Sequence, residues 1–192
     1  MEKLNGKKKL IVSVFISGRG TNLKSLINFS KKNKSPIKIT IVISNNYKAK
    51  GLQFCKKYGI NNFSISYKNK FYAENKILKI LIKKKIKLVC LAGFMKILSK
   101  KFIKKFSGKI LNIHPSLLPK YKGLNTHYRV IKNKERFSGC TVHLVNNKLD
   151  SGKIILQKKI KVLKKDNVNK LKKKILKAEH KLYPEAISKL LS

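Results

Sequence analysis

The chain has 192 residues, 42% of them hydrophobic, which is enough to bury one substantial core and suits a single domain. Its 48 lysines and arginines face 7 acidic residues, a formal net charge of +41, and that balance alone would suggest a nucleic-acid or acidic-membrane partner. Only three of the basic residues are arginines (Arg19, Arg129 and Arg136), the lysines run from end to end, and lysine, isoleucine and asparagine are over-used together, so the bias reads as codon composition expressed on solvated faces.

In chain order, Lys7 to Ile16 imitates a secretory signal, but the apolar run is short and meets Ser17-Gly18-Arg19-Gly20 without a small-residue cleavage pattern. It reads as the first buried strand, Leu10 to Ser17. Strands follow at Ile37 to Ser44, Phe63 to Ser66, Leu88 to Ala92 and Lys109 to Ile113, alternating with helices at Asn22 to Phe29, Ala49 to Tyr58, Phe71 to Lys84 and Lys100 to Phe106. Ser99 is the expected N-cap of the last of these. The alternation predicts an α/β, doubly wound, mostly parallel sheet with helices on both faces. After Ile113 the pattern changes to a loop punctuated by Pro115, Pro119 and Gly123, then strand-like runs at Cys140 to Val145 and Ile154 to Val162, which predicts a more irregular, partly antiparallel C-terminal half. Asp166 is expected to cap a long final helix, its apolar positions three and four apart, and Pro184 to kink or end it. The whole of 1–192 is expected to be one domain, in two halves that meet at about residue 110, where the pattern changes. Cys55, Cys90 and Cys140 form no CxxC pair, which argues against a disulfide framework or zinc knuckle and for a reducing, cytoplasmic setting. No apolar stretch approaches the roughly 18 residues of a membrane span.

Three places can carry chemistry. A glycine-containing turn, Ser17-Gly18-Arg19-Gly20-Thr21-Asn22-Leu23, runs from a strand into a helix, where free N–H groups suit a phosphate at Gly20, Thr21 and Asn22; a plain tight turn explains it equally. At the end of the fifth strand, Asn112 and His114 share one side of an extended backbone, so an amide donor and a titratable imidazole face one surface, although a histidine after a strand can be purely structural. Asp150, one of two aspartates in the chain, lies in a loop beside Gly152, either as a turn residue or as a carboxylate that acts on His114. His127 either lines a pocket or starts a helix. His143, alternating within a strand, reads as packed or exposed rather than catalytic. Glu179 is either a ligand for a substrate amine or hydroxyls or part of a solvated helix face.

Taken together, Ile16 to Leu23, Leu91-Ala92-Gly93-Phe94-Met95-Lys96-Ile97-Leu98-Ser99, Leu111 to Gly123, Asp150-Ser151-Gly152 and Glu179 to Pro184 resemble the glycinamide ribonucleotide formyltransferases over nearly the whole chain. The run Asn-x-His-Pro-Ser-Leu-Leu-Pro is similar to the wider formyltransferase group, and Lys120 to His127 to the glycinamide ribonucleotide branch. The resemblance implies formyl transfer from 10-formyltetrahydrofolate, as cosubstrate and without a metal, to the amine of glycinamide ribonucleotide in de novo purine biosynthesis. It implies a nucleotide-binding half at about 1–110 and a catalytic and folate-binding half at about 111–192, with Asn112, His114 and Asp150 as catalytic residues. It places the nucleotide on Gly20, Thr21, Asn22, Leu176, Lys177, Ala178 and Glu179. The folate would rest on Met95, Lys96, Ile97, Leu98 and Asn112 and against Asn146, Asn147, Lys148, Leu149 and Asp150. Lys70 and Lys96 stand where the family often has arginine. The implied partners are these small molecules, with no specific nucleic acid and no membrane, in a monomer or homodimer. The alternatives are methionyl-tRNA formyltransferase, formyltetrahydrofolate deformylase and a nonenzymatic nucleic-acid-binding protein.

Overall fold

The computed structural model describes residues 9–192, so Lys7 and Lys8 of the signal-like run lie outside the described residues. Five strands, β1 (Leu10–Ile16), β2 (Ile37–Ser44), β3 (Asn61–Ser64), β4 (Leu88–Leu91) and β5 (Lys109–His114), alternate with α1 (Thr21–Ser30), α2 (Leu52–Tyr58), α3 (Lys70–Lys83) and α4 (Lys100–Lys105). There follow α5 (Thr126–Lys132), β6 (Phe137–Leu144), β7 (Ile154–Lys161) and α6 (Val168–Leu191). The seven strands form one sheet in the order β3-β2-β1-β4-β5-β6-β7, parallel from β3 to β5 and antiparallel from β5 to β7. The sheet is thus doubly wound and mostly parallel, with the antiparallel part at its C-terminal side.

The central strands are apolar on both faces because both are covered. Val12, Val14 and Ile16 of β1 pack with Leu23, Leu26 and Ile27 of α1 and with Leu171, Ile175 and Leu182 of α6. Phe15 faces the other way, onto Ile77 and Leu81 of α3 and Phe102 of α4. The same alternation in β5 sends Leu111 and Ile113 to the α1/α6 side and Ile110 to the α3/α4 side, so Asn112 and His114 project with Ile110. The buried Tyr183 hydroxyl lies 3.1 Å from the carbonyl oxygens of both Leu91 and Leu111, tying α6 to β4 and β5.

Several boundaries differ from the sequence reading. Ser99 does cap α4, accepting from the Phe102 N–H at 3.0 Å. The cap of α6 is Asn167 rather than Asp166: its side chain accepts from Lys170 N–H, while Asp166 accepts from Leu163 N–H and pairs with Lys174. Strand β3 starts two residues earlier than expected, and α2 starts at Leu52 instead of Ala49. The loop after β5 contains the short helix α5. Pro184 does not end α6. A proline lacks an N–H and leaves the carbonyl four residues back, that of His180, without its helical partner. The Ser25 hydroxyl of α1 donates to this carbonyl at 2.7 Å. Among the described residues no helix is long and apolar enough to cross a membrane.

Candidate active site

The connection after β1 turns toward β2 and the one after the adjacent β4 turns the other way, toward β5, so a crevice opens at the carboxyl ends of β1 and β4, where ligands of doubly wound sheets bind. A cavity of about 340 Å³ lies there, lined among others by Gly18, Gly20, Thr21, Asn22, Gly93, Met95, His127, Leu176 and Glu179. Gly20 caps α1 in the left-handed conformation, at φ 70°, and no side chain takes the first N–H groups of that helix. A Cβ on Gly20 would sit 2.5 Å from the Cα of Gly51, so close packing and backbone conformation both require glycine. Ser17 braces the opposite wall: its N–H donates to Gly93 at 3.0 Å and its hydroxyl accepts from the Met95 N–H at 2.7 Å.

Glu179 reaches the cavity from α6 and accepts from the Asn22 side-chain amide at 2.8 Å. Burial lifts its carboxyl to about 7, against a smaller opposing effect of that hydrogen bond. Of the four α6 residues implied for the nucleotide, Leu176 and Glu179 line the cavity, whereas Lys177 is exposed and Ala178 packs toward the core. Helical spacing explains the split, since residues three apart share a face and consecutive ones do not. His127 both belongs to α5 and lines the cavity. Burial first, then the charges of Lys172 and His114, lower it to about 4, so it is neutral at neutral pH.

Asn112, His114 and Asp150 come together beside this cavity. The Asp150 Oδ2 is 3.4 Å from His114 Nδ1 and accepts from the Gly123 N–H at 2.9 Å, and Oδ1 is 3.5 Å from the Asn112 amide nitrogen. Burial raises the Asp150 carboxyl, but the neighbouring His143 ring, the hydrogen bond from the Gly123 N–H and the nearby His114 ring outweigh it and hold the group below its ordinary value. His114 Nε2 lies 2.8 Å from the Tyr121 carbonyl oxygen, which can only accept, so that nitrogen carries a hydrogen. Any second proton on the ring therefore sits on Nδ1, facing Asp150. The loops that hold these contacts use left-handed backbone at Tyr121 (φ 57°), Gly123 (φ 77°) and Asp150 (φ 45°), a conformation uncommon for residues other than glycine. Gly152 allows the Asp150 loop to return, because any side chain there would run into the Leu144 carbonyl.

The residues implied for the folate occupy two exposed segments. Met95, Lys96 and Ile97 are exposed after β4, with Leu98 buried beneath them; Asn146, Asn147, Lys148 and Leu149 are exposed after β6. Lys70, the first residue of α3, is exposed, and the neighbouring Tyr67 packs edge-on against Phe94, setting that end of α3 beside the Met95 turn. One residue of the cluster escapes sequence reasoning. His143 is buried, 3.2 Å from the Asn112 amide nitrogen and 3.7 Å from Asp150 Oδ1. The signal that could have found it is the antiparallel register, which sets His143 opposite Asn112.

A family model described as formyl transferase matches residues 9–187. The trifunctional purine biosynthetic protein adenosine-3 of Homo sapiens is 43% identical over 97% of this chain, and the chain spans 19% of that protein's length. The phosphoribosylglycinamide formyltransferase of Haemophilus influenzae is 41% identical over 92% of this chain and 84% of its own. The crystal structure of the phosphoribosylglycinamide formyltransferase of Brucella melitensis superposes with a TM-score of 0.90 at 40% identity, covering 95% of this chain and 96% of that one. The chain belongs to the formyl transferase family, on its phosphoribosylglycinamide formyltransferase branch.

Proposed function

We propose that the chain transfers the formyl group of 10-formyltetrahydrofolate to the amine of glycinamide ribonucleotide, a step of purine biosynthesis. The observation that carries this reading is the meeting of Asn112, His114 and Asp150 beside a cavity that ends on the open N-terminus of α1. The free amides at Gly20, Thr21 and Asn22 hold the phosphate, favoured by the dipole of a 10-residue helix. Glu179 and Leu176 contact the rest of the nucleotide. The exposed apolar side chains of Met95, Ile97 and Leu149 suit the flat rings of the folate, and Lys70 and Lys96 its carboxylates.

In this reading the unprotonated amine attacks the formyl carbon. Asn112 donates an N–H to the formyl oxygen as charge develops there, and His114, protonated on Nδ1 and compensated by Asp150, stabilises the same charge. The new C–N bond forms, the bond to the folate nitrogen breaks, and the proton lost by the amine ends on that nitrogen by way of His114 and ordered water. The three thiols, Cys55, Cys90 and Cys140, are buried and lifted by burial to about 11, 12 and 12, which keeps them unreactive and outside the chemistry.

The test mixes purified protein with 10-formyltetrahydrofolate and three acceptors, glycinamide ribonucleotide, methionyl-tRNA and water. Formylated glycinamide ribonucleotide is expected to dominate; formylmethionyl-tRNA or free formate as the main product would overturn the reading. Asn112→Ala is expected to lower kcat roughly 100- to 1,000-fold, the usual loss for one oxyanion donor, with little change in folate affinity.

A further inference from the structure

The planar amide of Asn112 has two N–H bonds at a fixed angle of about 120°, so anchoring one sets the aim of the other. Its nitrogen has an acceptor on one side in Asp150 Oδ1, at 3.5 Å, and a ring nitrogen on the other in His143 Nε2, at 3.2 Å. The role of that ring nitrogen follows from its opposite end. His143 Nδ1 is 2.9 Å from the Leu144 carbonyl oxygen, which can only accept, so Nδ1 carries the hydrogen. In the neutral ring Nε2 is then a lone pair, and the Asn112 amide donates to it. The arrangement is fixed by strand pairing: Asn112 of β5 and His143 of β6 are direct partners across the antiparallel ladder, and the ring is 2% exposed. A carboxylate on one side and a lone pair on the other leave no way to turn the amide over without setting its oxygen against two acceptors.

We infer that His143 is a positioning residue for formyl transfer: it anchors one hydrogen of the Asn112 amide so that the other points into the cleft between Asp150 and the reacting carbonyl. This rests on the proposed function for its chemistry, though not for its geometry. The weaker 3.5 Å contact to Asp150 is the one that yields when the formyl oxygen arrives, while the contact to His143 persists. His143 touches no substrate and acts only through Asn112.

The test compares His143→Leu, which keeps apolar bulk and removes the acceptor, with His143→Gln, which returns an acceptor at similar reach. The leucine variant is expected to lose roughly 10- to 100-fold in kcat, as a misaimed group does, with KM for both substrates within about threefold of the parent. The glutamine variant is expected to recover most of that loss. In an Asn112→Ala background, His143→Leu is expected to change kcat by less than about twofold, because the two act as one unit. Full kcat in the leucine variant, or an equal loss in both backgrounds, would overturn the inference. If the leucine variant does not fold, His143→Asn, whose oxygen falls short of Asn112, takes its place against His143→Gln. A readout without turnover is the side-chain amide signal of Asn112 in a ¹⁵N NMR spectrum. One of its two proton shifts should move in the leucine variant and stay near the parent's in the glutamine variant; unchanged signals in the leucine variant would sink the idea. Failure of the parent to formylate glycinamide ribonucleotide, with the amide signal behaving as expected, would reject the function and keep the positioning.

Discussion

Glu179 and Asp150 are buried carboxylates with opposite electrostatic signs. Burial dominates at Glu179 and lifts it to about 7, whereas at Asp150 the donors around it prevail over burial and depress it. A carboxyl raised from 4.5 to about 7 favours the protonated form in the fold, so its contribution is fully present below 4.5 and is lost as pH rises through about 7. At about 1.4 kcal/mol per unit, ionising Glu179 costs the fold on the order of 3 kcal/mol above that range. Glu179→Gln retains an oxygen for the Asn22 amide and removes the ionisation. Urea unfolding should therefore find the variant equal to the parent at pH 4 and more stable by up to about 3 kcal/mol at pH 8; equal stability at both pH values would show that Glu179 is not ionising under strain. The same change is expected to raise KM for glycinamide ribonucleotide, because a group kept at this cost is one that a ligand uses. Asp150 gives the opposite slope: its contribution is present above the ordinary carboxylate range and fades as pH falls through its depressed value.

Among the elements, α6 shows how a local rule is overridden from a distance. A proline inside a helix costs about 3 kcal/mol when the freed carbonyl goes unpaired, yet α6 continues for seven residues beyond Pro184, to Leu191. The hydroxyl that compensates comes from Ser25, 155 positions away in the chain. Ser25→Ala should cost about 1–2 kcal/mol in the parent, the penalty for a half-buried polar group left unmet. It should cost nearly nothing in a Pro184→Ala background, where a backbone N–H returns to the His180 carbonyl. Equal costs in the two backgrounds, measured by urea unfolding, would show that the hydroxyl is not compensating the proline. The same contrast separates what the residue order discloses from what it does not. Strands β1, β2, β4 and β5 are readable because burial on both faces makes them rich in β-branched and other apolar residues, and α6 because its apolar residues recur every three or four positions. Asn112 and His114 could be placed on one side of β5 from the two-residue period alone. The pairing of His143 with Asn112 depends on the register of two strands joined by a 22-residue connection, residues 115–136, and no local period reports that. The return of Asp150 depends on left-handed backbone and on the absence of a side chain at Gly152, both set by the packed loop.

At the scale of the whole molecule the governing quantity is a net charge of +41 with few internal partners. Among the described residues only two carboxylates pair with lysines, Glu135 with Lys120 and Asp166 with Lys174. A chain of this length has a radius of gyration of about 16 Å. The screening length is about 30 Å at 0.01 M salt and about 8 Å at 0.15 M. At low salt every lysine therefore repels every other across the body, and at physiological salt only near neighbours do. Raising salt from 0.01 to 0.15 M is accordingly expected to raise Tm, a direction that ordinary proteins with balanced charge do not share. The same field would favour the phosphate and carboxylates of the proposed substrates, and Arg19 and Lys172 at the cavity extend it to the candidate site. Over that salt range kcat/KM is expected to fall while kcat stays level, because encounter is screened and the chemistry beside Asp150 is not. Stability and capture thus respond to salt with opposite signs, and measuring both in one buffer series separates them. A kcat/KM that does not change with salt would mean that the lysines repel one another without steering substrate, and the charge would then serve no catalytic purpose.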